Sequence, residues 1–207
     1  MSKSEGSRDR IWDEDMSFYN NYFNRVHGGD VPPYEMHGAT GSIYGEYMYV
    51  FSERLEPYLL KRRRDVKLTI IDIGCSYGDA IKGLTDYIRK RGYRVRSIGI
   101  DPSPFVKLAM LKGNIDYGIR GVVQSLPLPD QCGDIVICNK VLGRFKSEQK
   151  ILGQKEILRV LKNDGIFLVG KTFGDEMTEQ SIRDMLTESQ RSRMIGEKRS
   201  FRRTTKR

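Results

Sequence analysis

Between residues 64 and 174 the chain alternates short, nearly continuous apolar runs with longer stretches in which apolar residues recur every three or four positions. The first kind of run marks strands buried on both faces, the second amphipathic helices. Leu68, Ile70, Ile71 and Ile73 form the core of a first strand. A helix follows, with Asp79 as its cap, Ile81, Leu84 and Ile88 on one face, and Gly92 where a left-handed C-terminal residue is wanted. Arg94 to Ile100 reads as a second strand ending on Asp101; Ser103 as cap and Pro104 at the first helical position then start a short helix. Its inward residues are Phe105, Leu108, Ala109 and Leu111, and Gly113 ends it. Ile119 to Val123 and Gly133 to Asn139 are the third and fourth strands. Ile151, Leu158 and Leu161 mark a further helix, Asn163, Asp164 and Gly165 a turn, and Ile166 to Gly170 a fifth strand. This alternation predicts a three-layer α/β domain with a mainly parallel, Rossmann-like sheet.

The end of the chain predicts a shortened sheet. A helix begun near Asp175 or Thr178, with Ile182, Met185 and Leu186 inward, can run to about Met194, leaving Gly196 to Arg207. A hairpin of two strands and a tight turn needs about twelve residues, with none left for the crossing from the helix. We therefore expect at most one short extra strand, around Ser200 to Thr205, and otherwise a sheet ending at the fifth strand. The terminal segment or a second copy of the chain, as in a homodimer, should cover that edge.

Candidate chemistry concentrates in residues 70–80, IIDIGCSYGDA. Glycines at 74 and 78 allow close backbone approach, the helix start offers unpaired amides, and an acid at the tip of the second strand, Asp101, is placed to accept both hydroxyls of a ribose. Strand, glycine turn, helix, strand and acid together mark a nucleotide-type cofactor site. A dinucleotide fingerprint would need glycines spaced GxGxxG, but the corresponding positions hold Gly74, Ser76 and Asp79, and an aspartate there repels a pyrophosphate. Instead Asp72, Gly74, Ser76 and Gly78 follow the spacing acidic-x-G-x-G-x-G, with serine replacing the middle glycine.

That spacing resembles the first motif of class I S-adenosylmethionine-dependent methyltransferases. LPLPDQCGDIVICNKVLGRF and LRVLKNDGIFLV are similar to later segments of the family's most widespread branch, so the likeness extends over roughly a hundred residues. The resemblance implies S-adenosyl-L-methionine as cofactor and a Rossmann-like methyltransferase fold whose C-terminal antiparallel hairpin is truncated or absent here. It implies that Asp72, Gly74, Ser76 and Gly78 line the methionine end, that Asp101 takes the ribose hydroxyls, and that Asn139 lies near the methionine or the acceptor. Many relatives bind the adenine amine through an Asp at the position of Val122; here Gln124 or Ser125 is the substitute. The implied reaction is in-line displacement, for which alignment and exclusion of water suffice. No catalytic residue is assigned; His37, His27 and Glu35 are the candidates if a base is used.

Charge divides the chain. Residues 1–60 carry 5 Lys/Arg and 10 Asp/Glu, residues 61–190 carry 23 and 16, and residues 191–207 carry 8 and 1. The basic tail, with Phe201 among its arginines, suits phosphate contact and stacking. The first 60 residues hold 7 of the 11 tyrosines and Trp12, which reads either as an aromatic lid over the cofactor or as a plain packing helix. The expected divisions are a helical cap or lid at 1–63 with a partly disordered start, a cofactor-binding core at 64–174, and a helix with basic tail at 175–207. Acceptors compatible with this are a small metabolite, slightly favoured, or RNA; a cofactor-binding module without turnover is the third alternative. No metal site is expected. Cys75, Cys132 and Cys138 have no ligand spacing and form no even disulfide set. A polar N-terminus and no twenty-residue apolar run predict a cytoplasmic protein with no membrane partner.

Two motifs mislead. DVPPY at 30–34 approaches the tetrad of base-amine methyltransferases, but it carries an extra valine and precedes the first strand instead of following the fourth. Cys138 lies near the end of the fourth strand, where base-carbon methyltransferases place a nucleophile, but its apolar neighbours favour a buried structural thiol.

Overall fold

The computed structural model describes residues 55–139, 141–170 and 194–196. After a helical segment at 55–60 come β1 (Leu68–Ile73), α1 (Asp79–Arg89), β2 (Val95–Asp101), α2 (Phe105–Leu111), β3 (Tyr117–Arg120), β4 (Gly133–Asn139), a single 3-10 turn (Leu142–Arg144), α3 (Ser147–Val160), β5 (Leu161–Gly170) and β6 (Met194–Gly196). The described strands form one sheet in the order β3-β2-β1-β4-β5-β6, with every pairing parallel. The expected α/β class with a mainly parallel sheet is what the chain adopts. The cap at 1–54 and most of the C-terminal segment, including the motif at 30–34, both histidines and Ser200 to Thr205, lie outside the described residues.

Both faces of the sheet are covered because the central strands are apolar at consecutive positions. Ile70, Ile135, Ile137 and Leu168 point to one side, where they meet Leu55 and Leu59 and the Ile81, Leu84 and Ile88 face of α1. Ile71, Ile73, Val136 and Phe167 point to the other, against Ile157 and Val160 of α3 and against Val123 and Leu126 of the segment after β3. That segment, 121–132, has no helix of its own and is strapped to α3. Glu156 accepts the Leu126 N–H at 2.8 Å, and Arg159 donates to the Leu126 and Leu128 carbonyls at 3.0 and 2.7 Å and to Asp130 at 2.7 Å.

Several expected details are corrected. Gly78, not Asp79, occupies the α1 cap position, with φ 77° and no side-chain hydrogen bond; Asp79 is the first helical residue. In α2 the buried residues are Phe105, Val106 and Ala109, while Leu111 is 79% exposed, since a seven-residue helix at the sheet margin has room for one narrow apolar stripe. Helix α3 buries Gly153, Gln154, Ile157 and Val160 and turns Ile151 outward. Gly153 is needed because a Cβ there would meet Leu142 Cδ2 at 2.9 Å and Val123 Cγ2 at 3.1 Å. Strand β3 ends at Arg120, before the valines expected to extend it, because Val123 turns toward α3.

Strand β5 begins at Leu161, and the expected turn at 163–165 is a bulge within it. Leu161 pairs with Gly133 and Ile166 with Ile135, leaving Lys162 to Gly165 opposite Asp134. The Asp134 carboxylate holds the irregularity by accepting from Lys162 Nζ at 2.9 Å and from the Thr69 N–H at 2.8 Å. Among the described residues one short strand follows β5, at Met194–Gly196, paired Phe167 to Met194. A helix running through Met194 is therefore excluded. The edge of β5 thereby takes up the apolar pair Met194 and Ile195. Among the described residues no helix is long and apolar enough to cross a membrane.

Candidate functional site

The strand order reverses between β1 and β4, the point at which open α/β sheets place ligands beyond the carboxyl ends of their strands. The turn after β1 and the tip of β2 are fused there by hydrogen bonds. Ile100 O accepts the Gly74 N–H at 2.7 Å and the Cys75 N–H at 3.1 Å, and Asp101 Oδ2 accepts the Ser76 N–H at 2.9 Å. Asp101 Oδ1 in turn accepts from Ser103 N–H at 2.9 Å and from its hydroxyl at 2.5 Å. One carboxyl group therefore organises both turns, because three N–H or O–H donors converge on its two oxygens in a site only 7% exposed. Ser103 Oγ also accepts the Phe105 N–H at 3.3 Å, so it does serve the start of α2.

The turn is built from left-handed residues at alternate positions: Gly74 at φ 77°, Ser76 at φ 50° and Gly78 at φ 77°. Ser76 is the non-glycine member, held there by its N–H to Asp101. Left-handed backbone costs an L-residue about 1 kcal/mol. Ser76→Gly is thus expected to keep the fold and change stability by less than about 1 kcal/mol, since relief of strain opposes glycine's greater chain entropy. Ser76→Val should lose about 2 kcal/mol or more, because a β-branched residue is a true outlier at positive φ. Urea denaturation of the pair checks this, and equal losses in both would contradict it.

The glycines do more than clear a path for a ligand. A Cβ on Gly74 would collide with the Val141 Cγ2 methyl, and one on Gly78 would press on Ile115 Cγ2 at 3.1 Å and Ala109 Cβ at 3.2 Å. Gly99 leaves room for Cys75 Sγ beneath the turn, at 2.6 Å from where its own Cβ would stand.

The two acids of the motif differ in environment. Asp72 is 2% exposed within β1, between Gly99 and Ile137, and its carboxyl is pushed up to about 7, first by burial and then by the neighbouring charge of Asp101. Burial and a neighbouring carboxylate both disfavour ionisation of Asp72, and a cation placed beside it would favour it.

Asn139, half-buried, ends β4 one residue beyond the Ile73 and Cys138 pairing and so stands beside the Gly74 turn. The loop after β3 is joined to β2 where the Gly121 N–H meets Asp101 O at 3.2 Å. In it Gln124 is 5% exposed and both polar atoms of its amide lack a partner among the described residues, whereas Ser125 is exposed and donates its N–H to Val122 O at 3.2 Å. Of the two candidate substitutes for the missing acid at 122, only Gln124 presents an enclosed polar group. Cys138 is 2% exposed, and burial pushes its thiol well above the ordinary range, as a structural cysteine requires. All three cysteines are free.

Residues 71–169 match the model of the methyltransferase domain family. Those residues carry a methyltransferase domain of that family. Among curated proteins, the chain is 29% identical over 114 residues to an uncharacterised methyltransferase, YcgJ, of Bacillus subtilis strain 168, a match covering 52% of this chain and 42% of that one. The chain thus spans under half of that relative. The crystal structure of YcgJ aligns with a TM-score of 0.42 at 24% identity, over 65% of this chain and 57% of that one. The CMeT domain of citrinin polyketide synthase aligns with a TM-score of 0.50 at 16% identity, over 58% and 34%; at such identity the likeness is one of fold.

Three supporting residues of the site leave little or no signal in the sequence. Val141 caps the Gly74 turn from the loop after β4. Arg120 donates to Pro102 O through Nε at 3.0 Å and Nη2 at 2.5 Å, bracing the turn that carries Asp101. Asn114 donates to Tyr77 O at 2.8 Å. Only Arg120 leaves a signal in the sequence, since parallel pairing of β2 and β3 sets it opposite Asp101.

Proposed function

We propose that the crevice at the β1 and β4 switch point binds S-adenosylmethionine and that the chain transfers its methyl group to an acceptor by in-line displacement. The observation that carries this is the Asp101 carboxylate, fixed at the tip of β2 between the two turns. The donor set fits the cofactor. Asp101 suits a ribose diol, the unpartnered Gln124 amide offers both a donor and an acceptor to a base edge, and the paired acids suit a positive charge. Asp79 in the first turn of α1 disfavours the pyrophosphate of a dinucleotide.

When bound, the cofactor supplies a methyl group already made electrophilic by a sulfonium. The work left to the protein is orientation and exclusion of water. Asp101 and Gln124 would fix the nucleoside, Asp72 and the glycine turn would fix the amino-acid end, and Asn139 would border the acceptor.

The acceptor reading we favour is a small metabolite, supported by the tyrosine-rich first 60 residues that precede the core. An RNA acceptor is the second reading, supported by 11 Lys/Arg against 4 Asp/Glu between residues 61 and 96.

Asp101→Ala is expected to weaken S-adenosylmethionine binding by about 1.5–3 kcal/mol, the range for hydrogen bonds to charged groups. Asp101→Asn, which keeps an acceptor for the Ser76 N–H, should fall between the two. Calorimetric titration reads both, and unchanged affinity in Asp101→Ala would overturn the assignment.

A further inference from the structure

Opposite the crevice, at the amino ends of the strands, two separate segments bring their cations together. Residues 61–67 lead into β1, and residues 89–96 leave α1 and enter β2. Leu68 N–H donates to Arg94 O at 2.9 Å, Arg94 Nη1 reaches Asp65 O at 3.4 Å, and Arg96 Nη2 donates to Thr69 Oγ1 at 2.9 Å. The Arg64 guanidinium lies over the Tyr93 ring, 5.5 Å from its centroid, and beside Gly92. The chain reversal thereby sets Arg64, Lys67, Lys90, Arg94 and Arg96 along one rim.

Some cations of these segments are neutralised. Arg62 pairs with Asp164, Arg63 with Asp65, Arg89 with Asp116 and Arg91 with Glu56. Lys61, Arg64, Lys67, Lys90, Arg94 and Arg96 are exposed and make no salt bridge among the described residues, although Arg94 lies close enough to Asp65 to favour its ionised form. Gathering uncompensated like charges on one rim is unfavourable unless a polyanion meets them.

We propose that this rim is a nucleic-acid surface that holds the phosphate backbone of a duplex, apart from the methyl-transfer crevice. Three features select that partner. Three of the six cations are guanidinium groups, which read phosphate oxygens in pairs. Tyr93 and Tyr58, which lie under Arg64 and Arg62, are not presented for base stacking, being 6% and 8% exposed. The cations come from the end of α1, a loop and two strand starts instead of from one amphipathic helix, as a membrane-surface element would supply. Strand β2 separates the rim from Asp101 by its seven residues, about 20 Å. The duplex is therefore bound without entering the crevice.

The test uses the full-length chain and fluorescence anisotropy with a labelled RNA hairpin, a DNA hairpin of the same length and a single strand, at several salt concentrations. Lys67→Glu with Arg94→Glu should weaken hairpin binding by about ten-fold or more near 0.1 M salt. The slope of log affinity against log salt should become shallower by about two. Lys107→Glu with Lys155→Glu, the same change in net charge at exposed sites on α2 and α3, should stay within about two-fold of wild type. Equal affinity for RNA and DNA hairpins would support a backbone-reading surface. Equal loss in the two double variants, loss only on removing residues 191–207, preference for the single strand, or binding to phosphatidylserine vesicles without hairpin binding would each overturn it. Calorimetry with S-adenosylmethionine on the same variants keeps the two proposals apart. The rim variant should bind it as wild type does, and a wild-type protein that bound hairpins but no cofactor would count against the methyl-transfer reading alone.

Discussion

Gly74→Val is expected to abolish measurable cofactor binding and to destabilise the fold by about 3 kcal/mol or more. Two penalties combine. A β-branched residue at φ 77° sits outside its allowed regions, at about 1–3 kcal/mol. Its Cβ would also occupy the space of the Val141 Cγ2 methyl, and overpacking of that kind costs about another 1–3 kcal/mol. Relief can come only by moving the turn, which breaks the bonds from Gly74 and Cys75 to Ile100 O and from Ser76 to Asp101. Gly74→Val with Val141→Ala separates the terms: it should recover part of the stability, since the collision is removed, but not the binding, since the φ strain remains. Chemical denaturation and calorimetry on both variants measure this, and a Gly74→Val protein as stable as wild type would contradict it.

The second large effect concerns Asp72. Its carboxyl, at about 7 in the folded protein against an ordinary 3.8, holds a proton that the unfolded chain has already released. The folded state therefore binds more protons between about pH 4 and pH 7, and stability from this group falls as pH rises through that window. The full shift corresponds to about 4 kcal/mol, an order-of-magnitude figure. Asp72→Asn removes the titration. The variant should match wild type near pH 5 and exceed it by about 2 kcal/mol near pH 8, allowing for the cost of burying an amide. It should also bind the cationic cofactor about ten-fold or more weakly, so the acid is retained against stability. Binding to wild type should release a proton near pH 7, because a cation favours the ionised acid. Denaturation at the two pH values checks the first claim and calorimetry in buffers of different ionisation enthalpy the last; a variant less stable than wild type at pH 8 would contradict the account.

What could be read from the sequence follows from how each residue meets its neighbours. Strands β1 and β4 were legible because both of their faces are apolar, and Asp101 was legible because an acid at a strand tip before Pro102 has no packing role. Helix α3 was legible as a helix but not in its orientation, since its inward face is made by Gly153 and Gln154 as much as by Ile157 and Val160. An absent side chain that makes room for Val123 and Leu142 leaves no hydrophobic signal. The β5 bulge looked like a turn because Asn163, Asp164 and Gly165 have turn chemistry; only the pairing of Leu161 with Gly133 keeps them inside a strand. The left-handed conformation of Ser76 was likewise invisible, being imposed by Asp101 from 25 residues away. Motif spacing located the site, and long-range contacts set its shape.

The most direct test is a calorimetric titration of the wild-type chain with S-adenosylmethionine, repeated with NAD. The account predicts saturable 1:1 binding of S-adenosylmethionine with no heat from NAD. Binding of NAD without S-adenosylmethionine would contradict it.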